Sequence, residues 1–398
     1  MKSSSRISIL VVLFWVIGML IISRLFHWQV ITAKQLSTRA ALQRQSIAEL
    51  SPIRGNILAA DGFPLAINKE GYLLYANPKE INLDSESVAS MLSPILAPGL
   101  DEVKVATDAS SEEKETLKKT LLSNTKKFIN NQLLHKELVW VLLKRKLSPE
   151  KKQQLDKLHL KGLGYESIPL RVYPEASMSA QILGFIGSDD YGRDIGYFGL
   201  EGYYNLDLSG RIGIIKQEKD AINRPIPISR YWSQKKRDGT HLQLYLDRGI
   251  QYLVEEALAQ AVQQYKAKAG SVVIMDPKTG GIMAMASYPS FDPNKYALYE
   301  QEDYINPIVS KAYEPGSTFK ILTMAAGIDQ NLITPTTICT ICDRPYKIDQ
   351  YYIRTWNDTY YKNSNMTEVL AHSDNVGMVF VAQKLGIETF VKYIKNFG

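Results

Sequence analysis

The sequence has little cysteine and no concentrated basic block, and each absence excludes a class of function. Only Cys339 and Cys342 are present among 398 residues. They form a single C-x-x-C pair, without the second pair of ligands that a structural zinc site requires. The formal net charge is +6, and the lysines are spread over several segments. This pattern does not indicate nucleic-acid binding and is typical of a solvated surface, with some attraction to anionic lipid headgroups.

The two cysteines permit two interpretations. Outside the membrane, Cys339 and Cys342 can form a small strained disulfide. Two thiols in a loop are an equally good interpretation. The sequence therefore assigns neither residue a function.

One long apolar run lies near the amino terminus. Ile7–Ile22 contains no charged residue, and Leu25, Phe26 and Trp28 extend its apolar surface. A spanning helix needs about 20 apolar residues, and Arg24 can extend its guanidinium to the interface. A cleaved signal peptide is the alternative, but no A-x-A-like site follows the run. The sequence predicts an uncleaved membrane anchor.

Flanking charge does not decide how this anchor is oriented. Two basic residues precede the apolar run and four follow it: Lys2 and Arg6, then Arg24, Lys34, Arg39 and Arg44. Long domains are translocated largely regardless of such charges. We therefore expect the body of the chain to lie outside the cytoplasm.

The rest of the chain divides where its composition changes. Ala33–Leu50 is predicted to be a helical stalk, and residues from about Ser110 to Lys161 are predicted to be surface helices, because they are charged and contain little Gly or Pro. Residues 217–239 are polar and poor in apolar runs, as expected of a boundary. We predict an anchor at 1–30, a domain at 31–215, a linker at 216–240 and a second domain at 241–398.

The second predicted domain combines strands and helices. A helix is expected from about Asp247 to Ala267. Ser271–Met275 and Gly281–Ala286 are predicted to be strands of a hairpin, joined by the turn Asp276–Gly280. Strands flanked by helices predict the α+β class.

The motif Ser-x-x-Lys occurs five times, and one occurrence has a distinct setting. Four lie in Lys-rich polar segments, where composition explains them: those at Ser111, Ser123, Ser148 and Ser233. The fifth, Ser317-Thr318-Phe319-Lys320, follows Pro-Gly and opens an apolar helix. Residues i and i+3 share a helix face, so Lys320 is predicted to reach the Ser317 hydroxyl and act as its base once its pKa is lowered. Backbone N–H groups at the helix start would lie near Ser317, as an oxyanion hole requires.

A second element, Ser373-Asp374-Asn375, separates two apolar helical stretches. It is predicted to place a hydroxyl and an amide beside the nucleophile, where they would relay a proton and hold the substrate amide. Capping of the next helix by Ser373 or Asp374 is the alternative, and it is compatible with catalysis. The candidate catalytic residues are therefore Ser317, Lys320, Ser373 and Asn375.

These two motifs together resemble the active-site signature that penicillin-binding proteins share with class A β-lactamases. Nearly the whole chain from Arg54 onward resembles class B penicillin-binding proteins. The segments that carry this resemblance are Arg54-Gly55, Asp61-Gly62, Arg171–Pro174, Gly199–Glu201, Asp276–Gly280 and Pro289–Asn294. Asn375–Met378 looks most like the septal branch.

The resemblance implies an α+β protein with a single transmembrane helix, a mixed α/β pedestal or dimerisation domain, and a β-lactamase-like transpeptidase domain with helices around an antiparallel sheet. It implies a D,D-transpeptidase in which Ser317 attacks the D-Ala-D-Ala end of a peptidoglycan stem peptide, and which β-lactams inhibit. No metal and no cofactor are implied. The implied location is the cell membrane, with the catalytic domain outside and septal wall-synthesis proteins as partners.

The third motif of the family, Lys-Ser/Thr-Gly, does not follow Asn375, where 23 residues remain. Lys278-Thr279-Gly280 spells the triplet, but it precedes Ser317 and lies in the predicted hairpin turn, so it receives no catalytic role. We therefore expect a transpeptidase domain cut off before its third motif. Acylation by such a chain would be weak, since a single oxyanion donor contributes about 10²–10³ in rate.

Two other functions remain compatible with the motifs. A D,D-carboxypeptidase, a β-lactamase or a β-lactam sensor would use the same nucleophile, although the pedestal signatures argue against a β-lactamase. A membrane-anchored binding module without catalytic activity is the other, because the third motif is missing. Product analysis with and without an acceptor amine separates hydrolysis from transfer.

Overall fold

The computed structural model describes residues 3–105, 110–190, 192–218 and 232–398. The chain forms two compact units, residues 1–310 and residues 311–398. Of the predicted linker at 216–240, residues 219–231 lie outside the described set.

The first unit contains both strands and helices. Its strands are β1 (Gln45–Leu50), β2 (Ile57–Leu58), β3 (Pro64–Ala76), β4 (Val141–Leu147), β5 (Leu163–Val172), β6 (Phe185–Ser188), β7 (Asp194–Tyr197), β8 (Gly213–Glu218), β9 (Trp232–Gln234), β10 (Leu242–Gln243), β11 (Gly270–Met275) and β12 (Ile282–Tyr288). Its helices are α1 (Ser3–Phe26), α2 (Ala33–Arg44), α3 (Ser85–Leu96), α4 (Ser111–Leu134), α5 (Pro149–Asp156), α6 (Ala180–Leu183), α7 (Gly199–Tyr203), α8 (Asn205–Ser209), α9 (Arg248–Tyr265), α10 (Gln301–Tyr304) and α11 (Pro307–Ser310).

The second unit is mostly helical. Its helices are α12 (Lys320–Asp329), α13 (Met366–Ala371), α14 (Asn375–Leu385) and α15 (Ile387–Asn396). A small antiparallel hairpin is formed by β13 (Tyr346–Ile348) and β14 (Tyr351–Ile353).

The predicted membrane anchor is one continuous helical segment. α1 runs into a π-helical turn at His27–Ile31, and α2 follows directly. Ile9–Ile31 is long and apolar enough to cross a membrane, judged by length and composition, and none of its most apolar window is buried within the protein. At about 1.5 Å per residue, 23 residues span about 34 Å, compared with about 30 Å for a bilayer core.

The last third of the predicted helical stalk is a strand. α2 ends at Arg44, and β1 pairs antiparallel with β8, which pairs with β9. A strand partner that lies more than 160 residues away leaves no local signal.

The longest strand, β3, organises the main sheet of the first unit. It pairs antiparallel with β2, β4 and β5, and β10 adds in parallel to β2. The predicted Asp61-Gly62 turn joins β2 to β3, and the Asp61 side chain accepts a hydrogen bond from the Phe63 backbone N–H at 2.9 Å. Helices α3 and α4 pack on this sheet through fully buried Leu74, Leu92 and Ile129.

A strand interrupts the segment that was predicted to be only helical. α4 and α5 are helices as expected, but β4 lies between them. Val141, Leu143 and Leu147 of β4 are buried. The Lys-Arg-Lys run at 144–146 hides this apolar pattern, because Arg145 and Lys146 are exposed and Lys144 is only partly buried.

The predicted hairpin and helix after residue 240 are confirmed. β11 and β12 pair antiparallel around the Asp276–Gly280 turn. α9 begins after Asp247, whose side chain accepts from the Ile250 N–H at 2.9 Å. Gln251 of α9 is fully buried and bonds both backbone groups of Met285, which fixes the helix on β12.

Three segments that carried the family resemblance meet in a buried ionic network. Glu201 is 0% exposed, and its carboxylate accepts from Arg54 Nε at 2.7 Å and from Arg171 Nε at 2.6 Å. Arg54 also donates to Asn205 Oδ1 at 3.0 Å, and the Tyr173 hydroxyl donates to Glu201 at 3.3 Å. Burial and the neighbouring Glu201 charge raise the pKa of Tyr173. The network connects four segments of the first unit around one carboxylate.

Candidate active site

Ser317 lies at the start of the first helical segment of the second unit. Gly316–Phe319 forms a 3-10 turn that continues into α12 at Lys320. The sequence predicted one helix from Ser317 to Asp329, and the structure differs by tightening its first turn. Ser317 is exposed, whereas Met324 and Ala326 of α12 are buried in the core of the unit.

Gly316 makes the sharp entry into this turn possible. Its φ is +55°, a left-handed conformation that glycine adopts without a steric penalty. A Cβ at this position would meet no atom within 4 Å, so backbone conformation alone requires glycine here. The Pro315-Gly316 pair therefore places Ser317 at the helix start.

Ser373 occupies the break between α13 and α14. Its φ is +54°, which is uncommon for a residue with a side chain. Asp374 caps α14, with its carboxylate accepting from the N–H groups of Val376 at 2.7 Å and Gly377 at 3.2 Å. The sequence left capping by Ser373 or Asp374 open, and the structure assigns it to Asp374. This leaves the Ser373 hydroxyl free for other partners.

Three of the four predicted site residues form one hydrogen-bonded chain. Lys320 Nζ donates to Ser373 Oγ at 2.9 Å and to the Ser373 carbonyl at 2.5 Å. Ser373 Oγ donates to Ser317 Oγ at 3.0 Å. Helical spacing predicted that Lys320 would reach Ser317 directly. In the structure, the hydrogen bonds connect the two residues through Ser373.

The surroundings of Lys320 lower the pKa of its ammonium group. Burial lowers the pKa of the Lys320 ammonium, because desolvation disfavours the charged state. The carboxylate of Asp374 acts in the opposite direction and raises that pKa. The balance is a lysine that loses its proton more readily than one in water, as a general base requires.

Asn375, the fourth predicted residue, contacts a different segment. Its Nδ2 donates to the carbonyl of Arg354 at 2.7 Å. The loop that follows is closed by the Thr355 hydroxyl, which donates to the Thr359 carbonyl at 3.0 Å. It carries Trp356 with 78% of its surface exposed. Sequence reasoning missed this loop, since a side chain that bonds a main-chain oxygen 21 residues away leaves no motif.

Close packing of α13 on α14 fixes the position of the Ser373 break. A Cβ at Gly377 would lie 2.3 Å from Cγ1 of Val369, so only glycine permits this approach. Asn365 caps α13 through a capping box with Glu368. Both ends of the Ser373-Asp374-Asn375 segment are thus attached to helices with defined starts.

The two cysteines form a disulfide in the core beneath this site. Cys339 and Cys342 are 2% and 0% exposed and pack in the cluster that contains Val369 and Val376. The Cys339 N–H donates to the Ser364 carbonyl at 2.8 Å, directly before the Asn365 cap. Of the two interpretations left open by the sequence, the structure shows the disulfide.

The Lys278-Thr279-Gly280 triplet lies in the hairpin turn between β11 and β12, as predicted. The Asp276 carboxylate accepts from the Lys278 N–H at 3.0 Å and from the Thr279 hydroxyl at 2.8 Å. Gly280 has φ +75°. The hydrogen bonds and the positive φ of Gly280 explain the presence of this triplet by the structure of the turn.

Two family models match the chain. Residues 49–244 match the penicillin-binding protein dimerisation domain, and residues 270–398 match the penicillin binding protein transpeptidase domain. The chain belongs to the penicillin-binding proteins. The family recognised from the motifs is thereby confirmed.

Relatives of this penicillin-binding protein are longer than the chain. Stage V sporulation protein D of Bacillus subtilis (strain 168) is 30% identical over 391 residues, which are 98% of this chain and 56% of that protein. Peptidoglycan D,D-transpeptidase FtsI of Escherichia coli (strain K12) is 27% identical over 380 residues, 95% of this chain and 59% of that protein. The chain therefore spans somewhat more than half the length of these relatives.

A solved structure shares the fold. Penicillin Binding Protein 2X from Streptococcus thermophilus aligns with a TM-score of 0.62 at 21% identity, covering 88% of this chain and 52% of that chain. The predicted α+β class is confirmed by this similarity and by the mixture of strands and helices in the structure.

Proposed function

We propose that this penicillin-binding protein is a peptidoglycan D,D-transpeptidase that cross-links stem peptides through a serine acyl-enzyme during septal wall synthesis. The observation that supports this most strongly is the hydrogen-bonded chain from Lys320 through Ser373 to Ser317. A hydroxyl becomes an effective nucleophile when a base within hydrogen-bond reach removes its proton. The chain provides that path at the start of a helix.

Acylation would begin at the penultimate carbonyl of the D-Ala-D-Ala end. Ser317 Oγ attacks this carbon while its proton passes to Ser373 Oγ, and the Ser373 proton passes to neutral Lys320 Nζ. Hydroxyl hydrogens rotate, so each serine can donate in either direction. Collapse of the tetrahedral intermediate breaks the peptide bond, and the terminal D-Ala leaves as an amine after taking a proton from the relay.

Transfer completes the reaction. The amine of a neighbouring stem peptide attacks the Ser317 ester, gives up a proton to the relay and releases the free serine. Asn375 is proposed to assist in holding the substrate amide. β-Lactams would acylate Ser317 in the same way and leave slowly. No metal or organic cofactor is needed for these steps.

The location and domains remain part of the proposal. The apolar Ile9–Ile31 segment supports a single-pass anchor in the cell membrane, and we place the catalytic domain outside the cytoplasm, where peptidoglycan is built. We propose the pedestal at 31–215, the linker at 216–240 and the transpeptidase domain at 241–398. Septal wall-synthesis proteins are the proposed partners; nucleic acid is not.

Labelled penicillin tests the proposal. The membrane-inserted chain is incubated with fluorescent penicillin, digested, and the adduct is located by mass spectrometry. We expect the label on Ser317 and its loss in Ser317→Ala. Ser123→Ala is the matched control, because Ser123 also begins a Ser-x-x-Lys motif but lies exposed on α4.

The gene is also sequenced beyond the codon for Gly398. If the frame continues to a Lys-Ser/Thr-Gly triplet, the extended protein is labelled in parallel. Absence of an adduct on Ser317 in both proteins would contradict transpeptidation and favour a membrane-anchored binding module.

A further inference from the structure

The excess positive charge of the chain is confined to its first 48 residues. This segment contains six lysines and arginines and neither aspartate nor glutamate. The remaining 350 residues contain 41 basic and 41 acidic residues. The lysine-rich surface of the body is therefore balanced by acids, and the formal net charge of +6 belongs to the anchor region alone.

Four of these six cations follow the apolar run on the side of the body. Arg24 lies near the end of the apolar segment, with its guanidinium carbon 4.7 Å from the centre of the Trp28 ring. Tryptophan is favoured at the level of lipid headgroups, and an arginine one turn away can extend its charge to the same level. The contact therefore places a cation at the membrane surface.

Helix α2 continues the charge beyond the surface. Lys34 and Arg39 are exposed, and within the described residues neither they nor Arg24 form an ion pair with an acidic side chain. Five helical positions separate Lys34 from Arg39, which is about 140° around the axis. Cations that point in different directions suit a helix surrounded by headgroups better than one that binds a single protein face.

We propose that Arg24, Lys34 and Arg39 form a basic collar that binds the anionic headgroups of phospholipids on the body side of the membrane. The occupant is a lipid because Arg24 lies within a 23-residue apolar segment whose exposed side chains require hydrocarbon, and Lys34 and Arg39 follow that segment directly. Each basic residue near an anionic membrane surface adds to the binding.

A second explanation for these cations is that they set the orientation of the anchor, since basic residues beside a transmembrane helix influence how it inserts. That effect acts during insertion. It predicts no preference among lipids for a protein already in the bilayer. The lipid preference of the inserted chain therefore separates the two explanations, and it does not depend on catalysis.

The test uses the full chain in nanodiscs of phosphatidylcholine and phosphatidylglycerol. In a Trp15→Phe background, Trp28 is the single tryptophan of the first 48 residues. Its quenching by brominated phosphatidylglycerol is compared with its quenching by brominated phosphatidylcholine. The variant is Lys34→Gln with Arg39→Gln, which leaves the Arg24–Trp28 contact in place. The control is Lys118→Gln with Lys119→Gln, two exposed lysines of α4.

We expect phosphatidylglycerol to be preferred, and the preference to fall about fivefold for each collar cation removed at low ionic strength. It should remain in the control and weaken in about 1 M salt, where screening acts within about 3 Å. Equal quenching by both lipids, or an equal loss in variant and control, would overturn the proposal. Competition by soluble glycerol phosphate at low concentration would also overturn it, by showing a site for free phosphate.

Discussion

Two polar networks of this protein differ in burial and in how their charges are balanced. In the first unit, Glu201 is fully buried between Arg54 and Arg171. In the second unit, Lys320 is partly buried and is connected to exposed Ser317 through the Ser373 hydroxyl. The first network pairs a carboxylate with two guanidinium groups, whereas the second contains a lysine whose pKa is lowered by burial.

The difference shows how similar chemistry serves two purposes. A buried ion pair contributes little net stability over an apolar contact, but it is costly to break, so it fixes one arrangement of the chain. A partly solvated relay allows protons to move, because its hydroxyls rotate and burial lowers the pKa of its lysine. Changes in the relay should therefore alter acylation, and changes in the buried network should alter stability.

The largest effect is expected at Lys320. Lys320→Met removes the base while keeping the length of the side chain, and we expect acylation by labelled penicillin to slow by about 10²–10⁴. The measurement is the rate of Ser317 labelling under conditions in which the wild-type chain is labelled. Thermal unfolding serves as the control, since this half-buried position should tolerate methionine. A variant that labels at the wild-type rate would show that the relay does not serve catalysis.

The buried network should respond in stability. Glu201→Gln keeps the shape of the side chain but leaves two buried guanidinium groups without a counter-charge, and we expect a loss of about 3–5 kcal/mol in the free energy of unfolding. Urea unfolding of the first unit measures it. Glu86→Gln, which removes one partner of the exposed Lys126–Glu86 pair, is the control and should change little. Similar losses in both variants would remove the distinction between buried and exposed pairs.

The disulfide tests how far the relay depends on the core beneath it. Cys339→Ala with Cys342→Ala opens a four-residue loop, and chain entropy alone predicts a loss of about 2 kcal/mol. We expect this loss of stability to appear as faster hydrogen exchange in the peptides that contain α13 and α14. Thr340→Ala, in the same loop, is the matched control. Unchanged exchange in the double variant would mean that packing holds this region without the covalent link.

The smallest expected effect is a displacement of a pH profile. Asp374→Asn removes a charge that raises the pKa of Lys320, while asparagine still caps a helix well. Lys320 should then lose its proton at lower pH, so the acid limb of the acylation profile should move to lower pH. Labelling rates measured along that limb check it. A displacement to higher pH would contradict the role assigned to Asp374.

The sequence predicts the parts of this structure that are local. The Asp276–Gly280 hairpin, the Asp247 start of α9 and the two motif segments depend on neighbours in the chain. The pairing of β1 with β8 was not predictable in this way, because it joins segments far apart in the chain. Ser373 was predicted to lie beside the nucleophile and relay a proton, but its direct hydrogen bond to Lys320 was not predicted, since helical spacing considers only residues of one helix.

At Ser373, the requirements of stability and of function conflict. A side-chain-bearing residue at φ +54° costs on the order of 1–3 kcal/mol, and glycine would relieve that strain. Glycine would also delete the hydroxyl that connects Lys320 to Ser317. Selection for a sturdier protein and selection for a working one therefore favour different residues here. A screen that selects only for thermal stability would therefore favour glycine at this position, and the selected variants would lack the hydroxyl of the relay.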